Sequence, residues 1–470
     1  MTPAATTVPA IRTLGELRGS GHVHKPLRTE IRDNLLAKLR TGEDPWPGLH
    51  GFAGTVVPQL ERALLAGHDV VLLGERGQGK TRLLRTLVGL LDEWTPVIEG
   101  SELGEHPYDP VTVTSRRRAA GMGDDLPVAW RHRSERYAEK LATPDTSVAD
   151  LVGDVDPMKV AEGRSLGDPE TIHFGLIPRS HRGIVAINEL PDLAERIQVA
   201  MLNVMEERDI QIRGYVLRLP LDVLVVASAN PEDYTNRGRI ITPLKDRFGA
   251  EIRTHYPLEL ADEVAVIRQE AGLAEIGADV PDFLVEILAR FTRNLRESSA
   301  VDQRSGVSAR FSIAGAETIA AAALRRAAQH ADEPVARVVD LHTAVEVLGG
   351  KVEFETGEEG REAEILTHLL RTATAATVRE RLRGIDFALL VDAIEGGAQV
   401  VTGDNVAAVD VLAGLPVLGE SDLYDRVCER LGATTDGQRA AALELALEGL
   451  YLARKIGKDV RDDAGETVYG

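Results

Sequence analysis

Sulfur chemistry is nearly absent, since Cys428 is the only cysteine in 470 residues. One chain can therefore build neither a disulfide framework nor a cysteine-based metal site, which fits a reducing cytoplasm. Long apolar runs are missing too. The N-terminus, MTPAATTVPAIRTLGELRG, lacks the stretch that a secretory signal requires, and no later segment reaches the apolar length of a membrane span. Positive charge is in deficit: 54 Lys and Arg stand against 74 Asp and Glu, for a formal net charge of -20 and a pI near 5.1. That balance argues against a general phosphate-backbone binder, whose affinity rests on clustered basic residues, and makes nucleic acid an unfavoured partner. Internal repeats and low-complexity tracts are absent as well. What remains is a globular chain, 43% hydrophobic, with length for roughly two to four domains.

Residues 1–45 read as an N-terminal helical adaptor, running into the Pro/Gly break EDPWPGLHG and the amphipathic run VVPQLERALLAG. Four short apolar segments follow: DVVLLG at 69–74, GIVAIN at 183–188, LDVLVVASAN at 221–230 and AEIRTHY at 250–256. Helical patterns separate them, which predicts an α/β domain over 46–258 with a parallel sheet between helices. Residues 259–345 are alanine-rich with helical periodicity, and predict a small helical domain. After the acidic stretch EFETGEEGREAE the chain is again mostly helical, so 346–470 reads as a helical C-terminal extension.

The strongest signal is VLLGERGQGKTRLLRTLVGLL, an apolar strand, a glycine-rich turn and an amphipathic helix. It matches G-x-x-x-x-G-K-[ST] across Gly74, Glu75, Arg76, Gly77, Gln78, Gly79, Lys80 and Thr81. Gly74, Gly77 and Gly79 let backbone N–H groups converge on phosphate oxygens at a helix N-terminus, where the dipole also favours negative charge. In this motif the lysine reaches the β- and γ-phosphates and the hydroxyl ligates Mg²⁺, which assigns those duties to Lys80 and Thr81. Hydrolysis demands more: an acid, a group that positions water and usually an arginine at the γ-phosphate.

With that loop in place, FGLIPRSHRGIVAINELPDL and SANPEDYTNRGRIITPLKDRFGAEI resemble the magnesium-chelatase I-subunit and MoxR branch of the AAA+ ATPases, over roughly residues 45–330. The resemblance implies an AAA+ P-loop core with a helical lid at 259–345, using ATP and Mg²⁺. It makes Glu189 the Walker B glutamate that orients the attacking water and Asn230 the sensor-1 residue at the γ-phosphate. It makes Arg247 an arginine finger for a neighbouring subunit and Arg310 the sensor-2 arginine of the lid. Each has a plainer reading: Asn230 before Pro231 can start a turn, and the two arginines can be surface ion pairs. The branch forms rings, commonly hexamers, and its members commonly work with a von Willebrand factor A domain; residues 346–470 lack that domain's D-x-S-x-S pattern, which places it on a separate chain. Residues 151–178 match the family's second-helix insertion. DIQIRGYVLRLP reads as a hairpin turning near Arg213-Gly214, partner-facing or purely structural.

One departure stands out. The family pattern ends the Walker B strand on Asp-Glu, whereas this chain has Asn188-Glu189. Asn188 keeps an acceptor oxygen near the metal position but loses the charge, which predicts turnover with a raised Mg²⁺ requirement that Asn188→Asp lowers. The favoured function is thus a ring-forming, Mg²⁺-dependent ATPase that remodels or activates a partner. Three alternatives remain open: a slow or non-hydrolysing nucleotide switch, a sigma-factor-dependent transcription activator, although no GAFTGA loop is present, and a true magnesium-chelatase subunit.

Two further stretches complete the reading. SRRRAAGMGDDLPVAWRHRSERYAEK concentrates Arg116, Arg117, Arg118, Arg131, Arg133 and Arg136, with only Trp130 and Tyr137 as stacking surface, and reads as a solvated loop. Met201 and Met205 share helical spacing with Ile197 and Val204, and belong to a core face.

Overall fold

The computed structural model describes residues 7–155, 158, 171–206, 210–212, 215–217, 219–230, 239–302, 305–415, 422–461 and 466–470. The chain divides into two units, Met1–His255 and Tyr256–Gly470.

In chain order the strands of the first unit are β1 (Val70–Leu73), β2 (Trp94–Ile98), β3 (Val128–His132), β4 (Tyr137–Leu141), β5 (Gly153–Val155), β6 (Ile172–Phe174), β7 (Gly183–Asn188), β8 (Ile210–Ile212), β9 (Tyr215–Leu217), β10 (Val223–Ala229) and β11 (Ala250–Arg253). Five form one parallel sheet in the order β11-β1-β10-β7-β4. β1, β7 and β10 are buried throughout, as expected of parallel strands covered on both faces. Their side chains alternate. Val71, Leu73, Val185, Ile187, Val225 and Ala227 meet Ile197, Met201, Val204 and Met205 of the helix Glu195–Glu206 on one face. Val70, Leu72, Ile184, Ala186, Leu224 and Val226 meet Leu83 and Leu84 of the helix Lys80–Thr86 on the other.

That second face also takes Leu27, Ile31 and Leu35 of the N-terminal helix Leu27–Thr41, which sets the N-terminal segment within the first unit. The arginine-rich stretch departs from its expectation as a solvated loop. It forms the helix Val113–Met122, then β3, which pairs with β2, then β4 of the main sheet. Arg136 is 1% exposed; its Nη1 and Nη2 donate to Glu30 Oε1 and Oε2 at 2.6 and 2.7 Å, and its Nε donates to the Arg182 carbonyl at 2.9 Å. Arginine charge counted along a sequence cannot reveal a carboxylate waiting on a distant helix.

β5 and β6 pair where the second-helix insertion enters and leaves, and β8 pairs with β9 as the expected hairpin. The turn at Arg213-Gly214 and half of 151–178 lie outside the described residues.

The second unit is mostly helical. The helix Asp282–Glu297 buries Phe283, Leu284, Ile287, Leu288, Phe291 and Leu295 at three- and four-residue spacing, against Gly315, Ala316, Ile319, Ala320 and Ala323 of Ala309–His330. Small residues on the second helix permit the close approach: a Cβ at Gly315 would stand 3.2 Å from Leu288 Cδ2. The same core continues through Glu362–Arg381 and Asp436–Leu452. A three-stranded antiparallel sheet is an addition to the helical expectation: β12 (Val400–Gly403), β13 (Lys458–Arg461) and β14 (Glu466–Tyr469), in the order β12-β14-β13. Runs of four residues are too short for periodicity to separate strand from helix. Among the described residues no helix is long and apolar enough to cross a membrane.

Candidate functional site

β1 ends at Leu73, and the chain turns through Gly74–Gly79 before the helix Lys80–Thr86 begins. Gly77 and Gly79 both have φ of 75°, a left-handed conformation that glycine adopts without penalty. At Gly74 the need is space, because a Cβ there would collide with Thr254 Oγ1 and Gln78 Oε1. Thr254 closes this side by donating to Gln78 Oε1 at 2.8 Å. The loop thus leads directly into the N-terminus of the helix Lys80–Thr86, the arrangement that receives phosphate. Glu75 and Thr81 are half-buried beside it and Arg76 is exposed.

Lys80 is buried at 7% exposure, and its Nζ donates to the carbonyls of Gly74 and Glu75, the latter at 2.8 Å, and to Asn230 Oδ1 at 2.7 Å. Asn230 then passes the connection on, its Nδ2 donating to Glu189 Oε2 at 2.7 Å. The loop lysine, the residue after β10 and the residue after β7 are therefore joined in one string. Glu189 sits at φ 55°, ψ 48°, left-handed for a residue that has a Cβ. Such strain costs on the order of 1–3 kcal/mol and persists where the surroundings enforce it, which they do here by aiming the carboxylate at Asn230.

Asn188 lies on the same face of the sheet as Ala186, and hence on the side of the helix Lys80–Thr86. Its Oδ1 accepts from Ser228 Oγ at 3.1 Å, and its Nδ2 donates to Glu139 Oε1 at 2.7 Å. Ser228 also accepts from the Glu189 backbone N–H at 3.4 Å. Glu139, on β4, is gripped by Arg85: Nε donates to Oε2 at 2.8 Å and Nη2 to Oε1 at 3.0 Å, while the Tyr137 hydroxyl donates to Oε2 at 3.2 Å. The Arg85 guanidinium holds the Glu139 carboxyl below the usual carboxylate range, with Tyr137 and Asn188 adding to the effect.

Two expected residues are not hydrogen-bonded into this string among the described residues. Arg247, at the end of the helix Thr242–Arg247, donates through Nε to Glu206 Oε2 at 3.0 Å, a surface pair. Arg310 is exposed in the first turn of Ala309–His330, in the second unit. Four contributors escape a reading of the sequence: Glu139 and Ser228 beside Asn188, Thr254 beneath the loop, and an aromatic wall. Phe52 meets the His255 ring edge-on at 5.4 Å, Thr55 Oγ1 lies 2.7 Å from His255 Nε2, and a Cβ at Gly79 would stand 3.8 Å from the Phe52 ring.

The Thr81 hydroxyl that opens the helix after the loop, Asn188 Oδ1 and the carboxylates of Glu189 and Glu139 are hard oxygen donors of the kind Mg²⁺ prefers. Among the described residues no group of three or more His, Cys, Asp and Glu is placed to hold a metal by itself.

A parallel sheet ordered β11-β1-β10-β7-β4, with a phosphate loop after its second strand and polar residues closing the two strands beyond, defines a P-loop nucleotide-binding core of the AAA+ type. No protein-family model matches the chain. Among curated proteins, it is 27% identical to the magnesium-chelatase subunit ChlI of Anabaena variabilis over 219 residues, 46% of this chain and 60% of that protein. It is 29% identical to the magnesium-chelatase 38 kDa subunit of Cereibacter sphaeroides over 247 residues, 50% of this chain and 65% of the other. A solved chain from the complex of magnesium-chelatase subunits BchI and BchD aligns at 18% identity and a TM-score of 0.35, covering 87% of this chain and 94% of that one. The chain is similar in sequence to AAA+ proteins of the magnesium-chelatase I-subunit type. It spans less than two thirds of the length of these curated relatives.

Proposed function

We propose that this protein hydrolyses ATP in a Mg²⁺-dependent reaction and works as a ring-forming motor that remodels or activates a partner protein. The observation that carries the reading is the string Lys80–Asn230–Glu189, which joins the phosphate loop to the acid. ATP phosphates settle on the N-terminus of Lys80–Thr86, where the amides of the glycine turn face them. Lys80 exchanges the Gly74 and Glu75 carbonyls for phosphate oxygens. Asn230 then stands between the γ-phosphate and Glu189, and the carboxylate orients the attacking water. Thr81 and, through Oδ1, Asn188 are the residues that would hold Mg²⁺, which would supply charge neutralisation at the phosphates.

Arg247 completes the set from a neighbouring copy. Its partners in its own chain are the surface residues Glu206 and Asp246, so its guanidinium is presented outward. A shared site makes assembly part of catalysis. The family resemblance supports a ring, with six copies as the expected number, a von Willebrand factor A domain on a separate chain as the partner, and a cytoplasmic setting. Metal insertion into a pigment precursor is a narrower function that the names of the relatives suggest.

The test is ATP turnover against protein concentration for wild type, Glu189→Gln and Arg247→Ala. Specific activity is expected to rise with concentration in wild type and to fall at least 100-fold in both variants, the scale on which a lost catalytic charge is felt. Nucleotide binding without turnover at any concentration replaces the motor by a nucleotide switch.

A further inference from the structure

An asparagine at the end of β7 looks like a lost charge until its neighbours are counted. The amide has two distinct ends and both are engaged: Nδ2 donates to Glu139 Oε1 at 2.7 Å and Oδ1 accepts from Ser228 Oγ at 3.1 Å. Sheet order gives those contacts direction. Glu139 stands on β4, at the edge of the sheet, whereas Ser228 stands on β10, between β7 and the strand β1 that feeds the phosphate loop. The nitrogen therefore points away from the loop strand and the oxygen towards it. Reversing the amide would set Oδ1 against a carboxylate oxygen, and that repulsion selects the orientation with Nδ2 on Glu139.

Glu139 is itself held. β4 runs parallel to β7 with Glu139 beside Ala186, so its side chain shares the face that carries Asn188 and the helix Lys80–Thr86. Arg85, from that same helix, fixes both carboxylate oxygens in a two-pronged grip. A string Arg85–Glu139–Asn188–Ser228 thus crosses the sheet at the level of the loop. Its negative charge lies one residue outward from where an aspartate would have placed it.

We propose that Glu139 is the positioning residue that makes an asparagine workable at the metal-holding position, by fixing the Asn188 amide with its oxygen towards the phosphate loop. Asn188 and Glu139 then form a matched pair. An aspartate at 188 would face the Glu139 carboxylate at hydrogen-bond distance with no proton between them, so the family's usual residue is unsuited to this chain unless position 139 changes as well. This inference rests on the proposed Mg²⁺–nucleotide reading of the site, and it reverses the simpler expectation that Asn188→Asp alone improves the site.

Wild type, Glu139→Gln, Asn188→Asp and the double variant Glu139→Gln/Asn188→Asp decide it through two measurements, neither of which needs turnover. The first is thermal melting without nucleotide. Asn188→Asp is expected to lower Tm, and adding Glu139→Gln, whose amide can donate to the new carboxylate, to restore it. The second is the Mg²⁺ midpoint for binding of the fluorescent analogue mant-ATP. Glu139→Gln, whose single oxygen cannot serve Asn188 and both prongs of Arg85, is expected to raise that midpoint about tenfold, the scale on which a disturbed orienting partner is felt, and the double variant to return to the wild-type value or below. Arg85→Gln, which removes the charged partner of Glu139 and leaves its contacts with Asn188 and Tyr137, is expected to stay within about twofold of the wild-type midpoint. Additive effects in both measurements, or an Arg85→Gln shift equal to that of Glu139→Gln, overturn the positioning role alone. A wild type whose mant-ATP binding ignores Mg²⁺ overturns the Mg²⁺–nucleotide reading and this role with it.

Discussion

Asn230 can do its work only as an amide. It accepts from Lys80 through Oδ1 and donates to Glu189 through Nδ2, so one side chain must offer both polarities at once. An aspartate keeps the first contact and turns the second into a clash of two carboxylates. Asn230→Asp is therefore expected to cut ATP turnover on the order of 100-fold, the usual cost of removing one preorganised donor, while mant-ATP affinity stays within a few-fold. Turnover close to wild type would show that the string is incidental. The residues of this string were legible in the sequence because each ends a recognisable pattern: Lys80 follows the glycines, Glu189 follows one apolar strand and Asn230 another. Glu139 and Ser228 were not. Their meaning depends on which strands lie side by side and in what register, and a one-residue slip would turn either side chain to the opposite face.

Elements were legible in proportion to their apolar length. GIVAIN and VLVVASA are continuous buried runs and declare a covered parallel sheet. β4, YAEKL, has a mixed burial pattern as the edge of that sheet and hides among charges. The connections around it carry a second consequence, for pH. His181 lies in the turn before β7 with Nδ1 accepting the Asp222 backbone N–H at 3.1 Å, and burial first, then the nearby Arg182, push its pKa down to about 4. His106 is driven down further by burial and Arg182; its Nδ1 accepts from the Tyr108 N–H at 3.0 Å, and its Nε2 lies 3.1 Å from His22 Nε2. These rings are neutral when folded and take a proton near pH 6.5 when unfolded. Between those values the unfolded chain binds more protons, so stability is whole above about pH 6.5 and is lost as pH falls towards 4. For His181 the loss is about 3 kcal/mol. Urea midpoints should fall between pH 7 and pH 5, and His181→Asn, whose oxygen can take the same N–H, should flatten that slope. An identical slope in the variant would acquit His181.

At the scale of the whole molecule, the two units are built on separate principles. The first spends most of its buried apolar residues on the two faces of one sheet, while the second gathers buried residues between Ile267 and Tyr469 into one mostly helical core. Its buried ion pairs close within the same span. Arg326 reaches Asp340 with Nη1–Oδ1 at 2.5 Å, Arg296 reaches Glu263 at 2.7 Å, and Lys458 reaches Glu448 at 2.6 Å. Such pairs contribute little on their own merits, but a buried charge whose partner were left on another polypeptide would destabilise by roughly 3–5 kcal/mol. Here no cut at the boundary between units separates these partners. β14 then ties the end of the chain to β12 and β13, so the last residues are paired. A piece of this size buries roughly 70% of its unfolded surface, enough for a cooperative core. Residues 256–470 produced alone are therefore expected to give a helical circular dichroism spectrum and one sharp thermal transition. A broad melt with exposed apolar surface, read by dye binding, would show that the helical core depends on the sheet domain after all.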